Sequence, residues 1–179
     1  MSTRILALFA LLIPAAASSN DFCKYPDTSR LSGDVGFSNA VREFFGNQKA
    51  TFYSRNLDIA TQALEGLGGP PRDLETVEPG LVMAAACRAH SCDEKSATII
   101  ACPSTIVATA IMHFNCGHPE KSCDTTPTVT IFFSNPNKRQ RGRAALEDWG
   151  RRMGKESGKT VTFLYRTQSN SPIEPLSLK

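Results

Sequence analysis

The sequence contains no Gly-x-Ser-x-Gly, no His-Glu-x-x-His and no glycine-rich phosphate loop, so the hydrolase, zinc-protease and nucleotide-binding signatures are missing. It has no Cys-x-x-Cys either. Its two close cysteine pairs have four and six residues between them, which argues against a thiol–disulfide enzyme. Asp93 and Glu94 are adjacent carboxylates, but neighbours on a strand point to opposite faces, so they do not form an acid–base pair. No catalytic constellation is expected, nor a cofactor. Beyond the first residues, no apolar run is long enough to span a bilayer. Charge of either sign is nearly absent in excess: the formal net charge is +3, and loss of Arg4 would leave +2. That is too little to draw the chain to nucleic acid or anionic lipid.

What is present suits one domain: 179 residues, 41% of them hydrophobic and 21% charged. Arg4, the short apolar run from Ile5 to Ile13 and the small residues Ala15, Ala16 and Ala17 read as a secretory signal peptide over 1–17. Cleavage is expected near Ala17, leaving a soluble chain in the periplasm or secreted. No cysteine follows that point directly, so a lipoprotein anchor is not expected. Six cysteines lie beyond it: Cys23, Cys87, Cys92, Cys102, Cys116 and Cys123. An even count in a secreted chain implies disulfides. Cys87–Cys92 and Cys116–Cys123 are the natural local bridges, which leaves Cys23 with Cys102.

Residues 18–36 are rich in Gly, Ser, Pro and Asp and read as an irregular lead-in. A short helix is expected over 37–45, with Ser38 as its cap and Val41, Phe44 and Phe45 on one face. A second is expected over 57–67, ended by Gly66, Gly68, Gly69, Pro70 and Pro71. Short runs rich in Val, Ile, Thr and Ala then predict strands at 81–87, 96–102, 105–114, 128–133 and 160–165. Pro103-Ser104 supplies a tight turn. Most connectors are too short for crossover helices, so the expected fold is α+β: a largely antiparallel sheet of about five strands with flanking helices. Ala145, Leu146, Trp149 and Met153 predict a helix within 137–155 that packs on the sheet. Its basic start (Lys138, Arg139, Arg141, Arg143) reads as a solvated face. Residues 167–179 read as a disordered tail.

On this map the Cys87–Cys92 bridge closes a loop at the tip of a protruding hairpin. So short a ring adds little through chain entropy. Its use is stiffness, which lowers the entropy lost on docking. Leu81 to Ile100, with Cys87-Arg88-Ala89-His90-Ser91-Cys92 at its centre, resembles the Ivy family, inhibitors of vertebrate (c-type) lysozyme, whose loop is Cys-Lys-Pro-His-Asp-Cys between apolar strands. Cys87, His90 and Cys92 match. Arg88 keeps the charge of the lysine, while Ala89 and Ser91 depart from the proline and aspartate. The order of elements over 37–166 also fits. The resemblance implies that the loop occludes the lysozyme cleft, with His90 on both catalytic carboxyls and Arg88 and Ser91 beside it. It implies a homodimer, and it extends to the cell's own lytic transglycosylases as a related target.

Two other readings stand beside it. One is a secreted Ivy-like interaction domain without lysozyme inhibition. The other is a metal-binding periplasmic protein using Cys116, Cys123, His113 and His118, which are suitable ligand types but at a spacing that matches no zinc motif and in a compartment that favours disulfides; no metal is expected.

Overall fold

The computed structural model describes residues 20–116, 123–135 and 141–172. The segment 1–17 expected to be a signal peptide, Lys138, Arg139, His118 and residues 173–179 lie outside them. The fold is α+β. Its centre is a six-stranded sheet in the order β3-β4-β5-β6-β7-β8: β3 (Glu75–Glu78), β4 (Leu81–Arg88), β5 (Ser91–Ala101), β6 (Thr105–His113), β7 (Thr128–Phe133) and β8 (Thr162–Thr167). A two-residue ladder, β1 (Lys49–Ala50) with β2 (Leu57–Asp58), lies apart from it. Four pairs of the main sheet are antiparallel. The last is parallel: β8 runs beside β7, from Thr128↔Thr162 to Phe133↔Thr167. A parallel neighbour needs a crossover, and helix α4 (Arg143–Glu156) supplies it.

Both faces of the sheet are covered. Val82, Ala84, Ala86, Ile100, Ile111 and Phe132 pack with α1 (Thr28–Ser32), α2 (Val35–Phe45) and α3 (Ile59–Glu65) through Leu31, Phe37, Val41, Phe45, Ile59 and Ala63. Leu81, Met83, Ile99, Ala108, Met112, Val129, Ile131 and Phe133 pack with α4 through Leu146 and Trp149. That is why β7 is buried at every position and the central strands read as continuous apolar runs.

The differences from the sequence reading have local causes. The 18–36 lead-in is partly helical: Asp27 accepts the Arg30 amide at 2.8 Å and starts α1. Asp34 accepts the Phe37 amide at 2.8 Å and starts α2 at Val35. Ser38 is therefore inside α2 and does not cap it. Leu57 and Asp58 pair with Ala50 and Lys49 as strand, so the second helix begins only at Ile59. β3 was not expected, because Glu-Thr-Val-Glu carries one apolar residue; its charges suit an edge. β8 begins two residues later than expected. Its end is not tail: the Thr167 amide donates to Ser171 O at 2.8 Å and Arg166 bridges to Pro172.

Cys23 is bonded to Cys102 across 79 residues, and the Phe22 amide donates to Pro103 O at 2.8 Å. The N-terminal segment is thus clipped to the β5–β6 turn. Replacing both cysteines with alanine should lower the unfolding free energy by about 4.5 kcal/mol through the freed denatured chain, read as a lower denaturant midpoint.

Candidate functional site

β4 and β5 form a long hairpin, in register from Leu81↔Ala101 to Cys87↔Lys95. The register then shifts, and Arg88 pairs with Ser91. Cys92, Asp93 and Glu94 are the additional residues that this shift places on β5. The strands therefore run further into the predicted loop than expected, and the turn is only Ala89-His90. Cys87 is bonded to Cys92 with their Cα atoms 4.7 Å apart. The bridge spans the shifted region and joins the two strands beneath the turn.

His90 has φ of 64°. This left-handed region is costly for most side chains, though histidine enters it more readily than most. Ala89, His90, Cys92 and Asp93 are exposed, whereas Cys87, Arg88, Ser91 and Glu94 are half-buried. The tip is convex. A groove of about 710 Å³ lies beside its root, lined by Met83, Cys87, Cys92, Lys95, Trp149 and Met153 among others, but not by His90.

The root is docked on the body at closely approached backbones. The Gly69 amide donates to Cys87 O at 2.7 Å, and the Ser96 amide donates to Gly66 O at 3.1 Å. A Cβ on Gly69 would lie 2.9 Å from Cys87 Sγ, so this approach requires glycine. Tyr53 Oη donates to Lys95 O at 2.5 Å and lies 3.2 Å from Ser96 Oγ. Burial pushes this phenol far above its ordinary value, so it stays a donor at any working pH. Lys95 Nζ donates to Cys92 O, and burial draws its ammonium below the usual lysine range.

Tyr53 is itself held by Gln62, a fully buried residue of α3. Gln62 Oε1 accepts the amides of Phe52, Tyr53 and Ser54 at 3.0, 2.8 and 3.1 Å. Its Nε2 donates to Ala50 O at 3.0 Å and Leu57 O at 2.9 Å. The amide thus closes the 50–57 segment over the hairpin root.

Arg88 does not project with His90. Its Nη1 donates to Glu94 Oε2 at 2.6 Å, its Nε is 3.6 Å from Glu65 Oε2, and its guanidinium lies 5.5 Å from the centre of the Tyr53 ring. Tyr53, Gln62, Glu65 and Glu94 had no role in the sequence reading. The signals present were a lone glutamine inside an apolar helical stripe and the Gly66-Leu67-Gly68-Gly69 run, which marks close backbone approach as well as a helix end.

Three residues of the zinc reading, Cys116, Cys123 and His113, are committed elsewhere. Cys116 is bonded to Cys123. His113 is buried, with Nε2 3.0 Å from Thr130 Oγ1 and its ring stacked at a tilt on Phe52. Burial holds this imidazole well below its ordinary value, at about 4. Among the described residues no group of three His, Cys, Asp or Glu side chains is placed to hold a metal ion.

Comparison of the chain with protein-family models, with curated proteins and with solved structures finds no match.

Two predictions follow from this geometry. Gln62→Leu keeps the volume but removes the partner of three half-buried amides and two carbonyls, and should cost about 3 kcal/mol of stability, measured by denaturant unfolding. His113 is neutral when folded, with its value depressed from 6.5 to about 4. Below pH 6.5 the unfolded chain takes up a proton that the fold refuses. Its contribution is therefore complete above that pH and is lost as pH falls towards 4, by on the order of 3 kcal/mol over the window. His113→Gln should flatten the acid limb of a stability–pH profile between pH 4.5 and 6.5; an unchanged slope would refute the assignment.

Proposed function

We propose that this chain is a secreted, Ivy-like inhibitor of c-type lysozyme, an occluding protein rather than an enzyme, and that the hairpin tip enters the substrate cleft with His90 at its front. The observation that carries the reading is an exposed histidine held in the turn of a disulfide-joined hairpin whose root is docked on the body. A concave cleft is best filled by a convex, pre-stiffened element, because little entropy is lost when it binds.

The chemistry of the cleft matches the ring. A retaining glycosidase holds its two carboxyl groups about 5–5.5 Å apart, one protonated and one ionised. A neutral imidazole donates from one nitrogen and accepts at the other, in different directions. One His90 ring can therefore donate to the ionised carboxyl and accept from the protonated one. Ser91, half-buried at the start of β5, offers a hydroxyl beside it but not the negative charge of the family's aspartate. Ala89 keeps the turn small. The three disulfides and the absence, among the described residues, of a helix long and apolar enough to cross a membrane fit the periplasm or the cell exterior. The homodimer and the lytic transglycosylase target belong to the same proposal.

The test is residual activity of a c-type lysozyme against increasing concentrations of the oxidised protein. Stoichiometric inhibition is expected, weakened more than about thirtyfold by His90→Ala, as for a central buried contact. Absence of inhibition by the unaltered protein would contradict the proposal.

A further inference from the structure

We infer that Arg88 is a positioning residue of the hairpin, not a contact with the bound enzyme: its guanidinium is taken up by Glu94, Glu65 and Tyr53, and these contacts fix the direction in which His90 is presented. The inference rests on the inhibitor reading for its consequence in binding, but not for the clamp itself.

Cys87–Cys92 joins β4 to β5, and so sets the shape of the tip but not its angle to the rest of the molecule. That angle needs a tie from the tip to another element. Glu94 lies on β5 and Glu65 at the last residue of α3, so Arg88 links three elements at once. The donors are well matched. Nη1 reaches Glu94 Oε2 at 2.6 Å, and Nε faces Glu65 Oε2 at 3.6 Å. That Glu65 oxygen is buried and accepts no hydrogen bond, so the Arg88 charge is its compensation. The flat face of the guanidinium lies over Tyr53, whose hydroxyl is bonded to the main chain of Lys95. Arg88 thus touches the same tyrosine that the Gln62 network holds. For Arg88 to reach into a partner's cleft it would have to abandon two carboxylates, and leave the buried Glu65 Oε2 without its cation. A lysine could not make this set of contacts, because it lacks both the fork and the planar face.

The inference separates from direct contact through Glu94→Gln and Glu65→Gln. If Arg88 positions the tip, either change loosens it and weakens inhibition, roughly three- to tenfold. Arg88→Met does the same, and adding Glu94→Gln to Arg88→Met costs nothing further. If Arg88 instead contacts lysozyme, the carboxylate variants release it and inhibition is unchanged or stronger, while Arg88→Met alone weakens it; that result overturns the inference. A second readout needs no lysozyme. Amide hydrogen exchange at His90 and Ser91 in the oxidised protein should quicken roughly tenfold in Arg88→Met and Glu94→Gln, with the β6 and β7 amides unchanged. Unaltered exchange at the tip overturns the clamp. Failure of the unaltered protein to inhibit lysozyme would reject the proposed function, and the exchange rates would still decide whether Arg88 holds the tip.

Discussion

The Gly69 amide gives its proton to the Cys87 carbonyl at 2.7 Å, and what the hairpin can present depends on that joint. It brings the segment after α3 against the last regular residues of β4, at a distance that leaves no room for a side chain on Gly69. The Ser96–Gly66 bond makes a second joint on β5. With both strands fixed to one short segment, the turn beyond them is supported on its inner side. The Cys87–Cys92 bridge then acts on strands that are already held. A disulfide on a free ribbon would set only the shape of a wandering tip. Here the strands are held on the body before the bridge acts, and the contacts of Arg88 with Glu65 and Glu94 tie the hairpin closer to its tip.

Rigidity at the tip has a cost in buried polar groups at the root, and the fold offsets it by satisfying them. Gln62 is the clearest case: a glutamine in the apolar stripe of a seven-residue helix would be a liability without partners. Here all its polar valences shown, three accepted and two donated, go to main-chain groups of 50–57. That segment lies over the root and carries Tyr53. The chain Gln62, Tyr53, Lys95 O and Arg88 links α3 to the tip through polar contacts, while the apolar layers on either side of the sheet supply the bulk of the stability.

How much of this was legible follows from where each signal sits. β4 to β7 could be read because burial on both faces makes each an apolar run, as in Thr128–Phe133. β3 could not, since an exposed edge strand has no reason to be apolar. The direction of β8 could not be read either, because it depends on α4 carrying the chain across the sheet. The cap Asp27 lay in plain sight within a Gly- and Ser-rich stretch, but the five-residue α1 gives little periodicity to confirm it; α2 was legible from Val41, Phe44 and Phe45, though not its start at Asp34. At the site, Cys87, His90 and Cys92 form a local pattern within six residues. Tyr53 and Lys95 are 42 residues apart in sequence, and the contact is to a carbonyl that any residue would supply. Such partners leave no mark in composition or spacing. Arg88 shows a different limit: its charge was legible, while the carboxylates it meets, Glu94 and Glu65, belong to other elements.

The central claim is that the His90 tip occupies the lysozyme substrate cleft. It is tested most directly by competition. A c-type lysozyme is titrated with the oxidised protein by calorimetry, first alone and then with the cleft saturated by an N-acetylglucosamine oligomer. Competition for one cleft should raise the apparent Kd by the factor one plus the oligomer concentration over the oligomer's own Kd. Binding of equal affinity in the presence of saturating oligomer would mean that the hairpin attaches elsewhere, and would contradict the account.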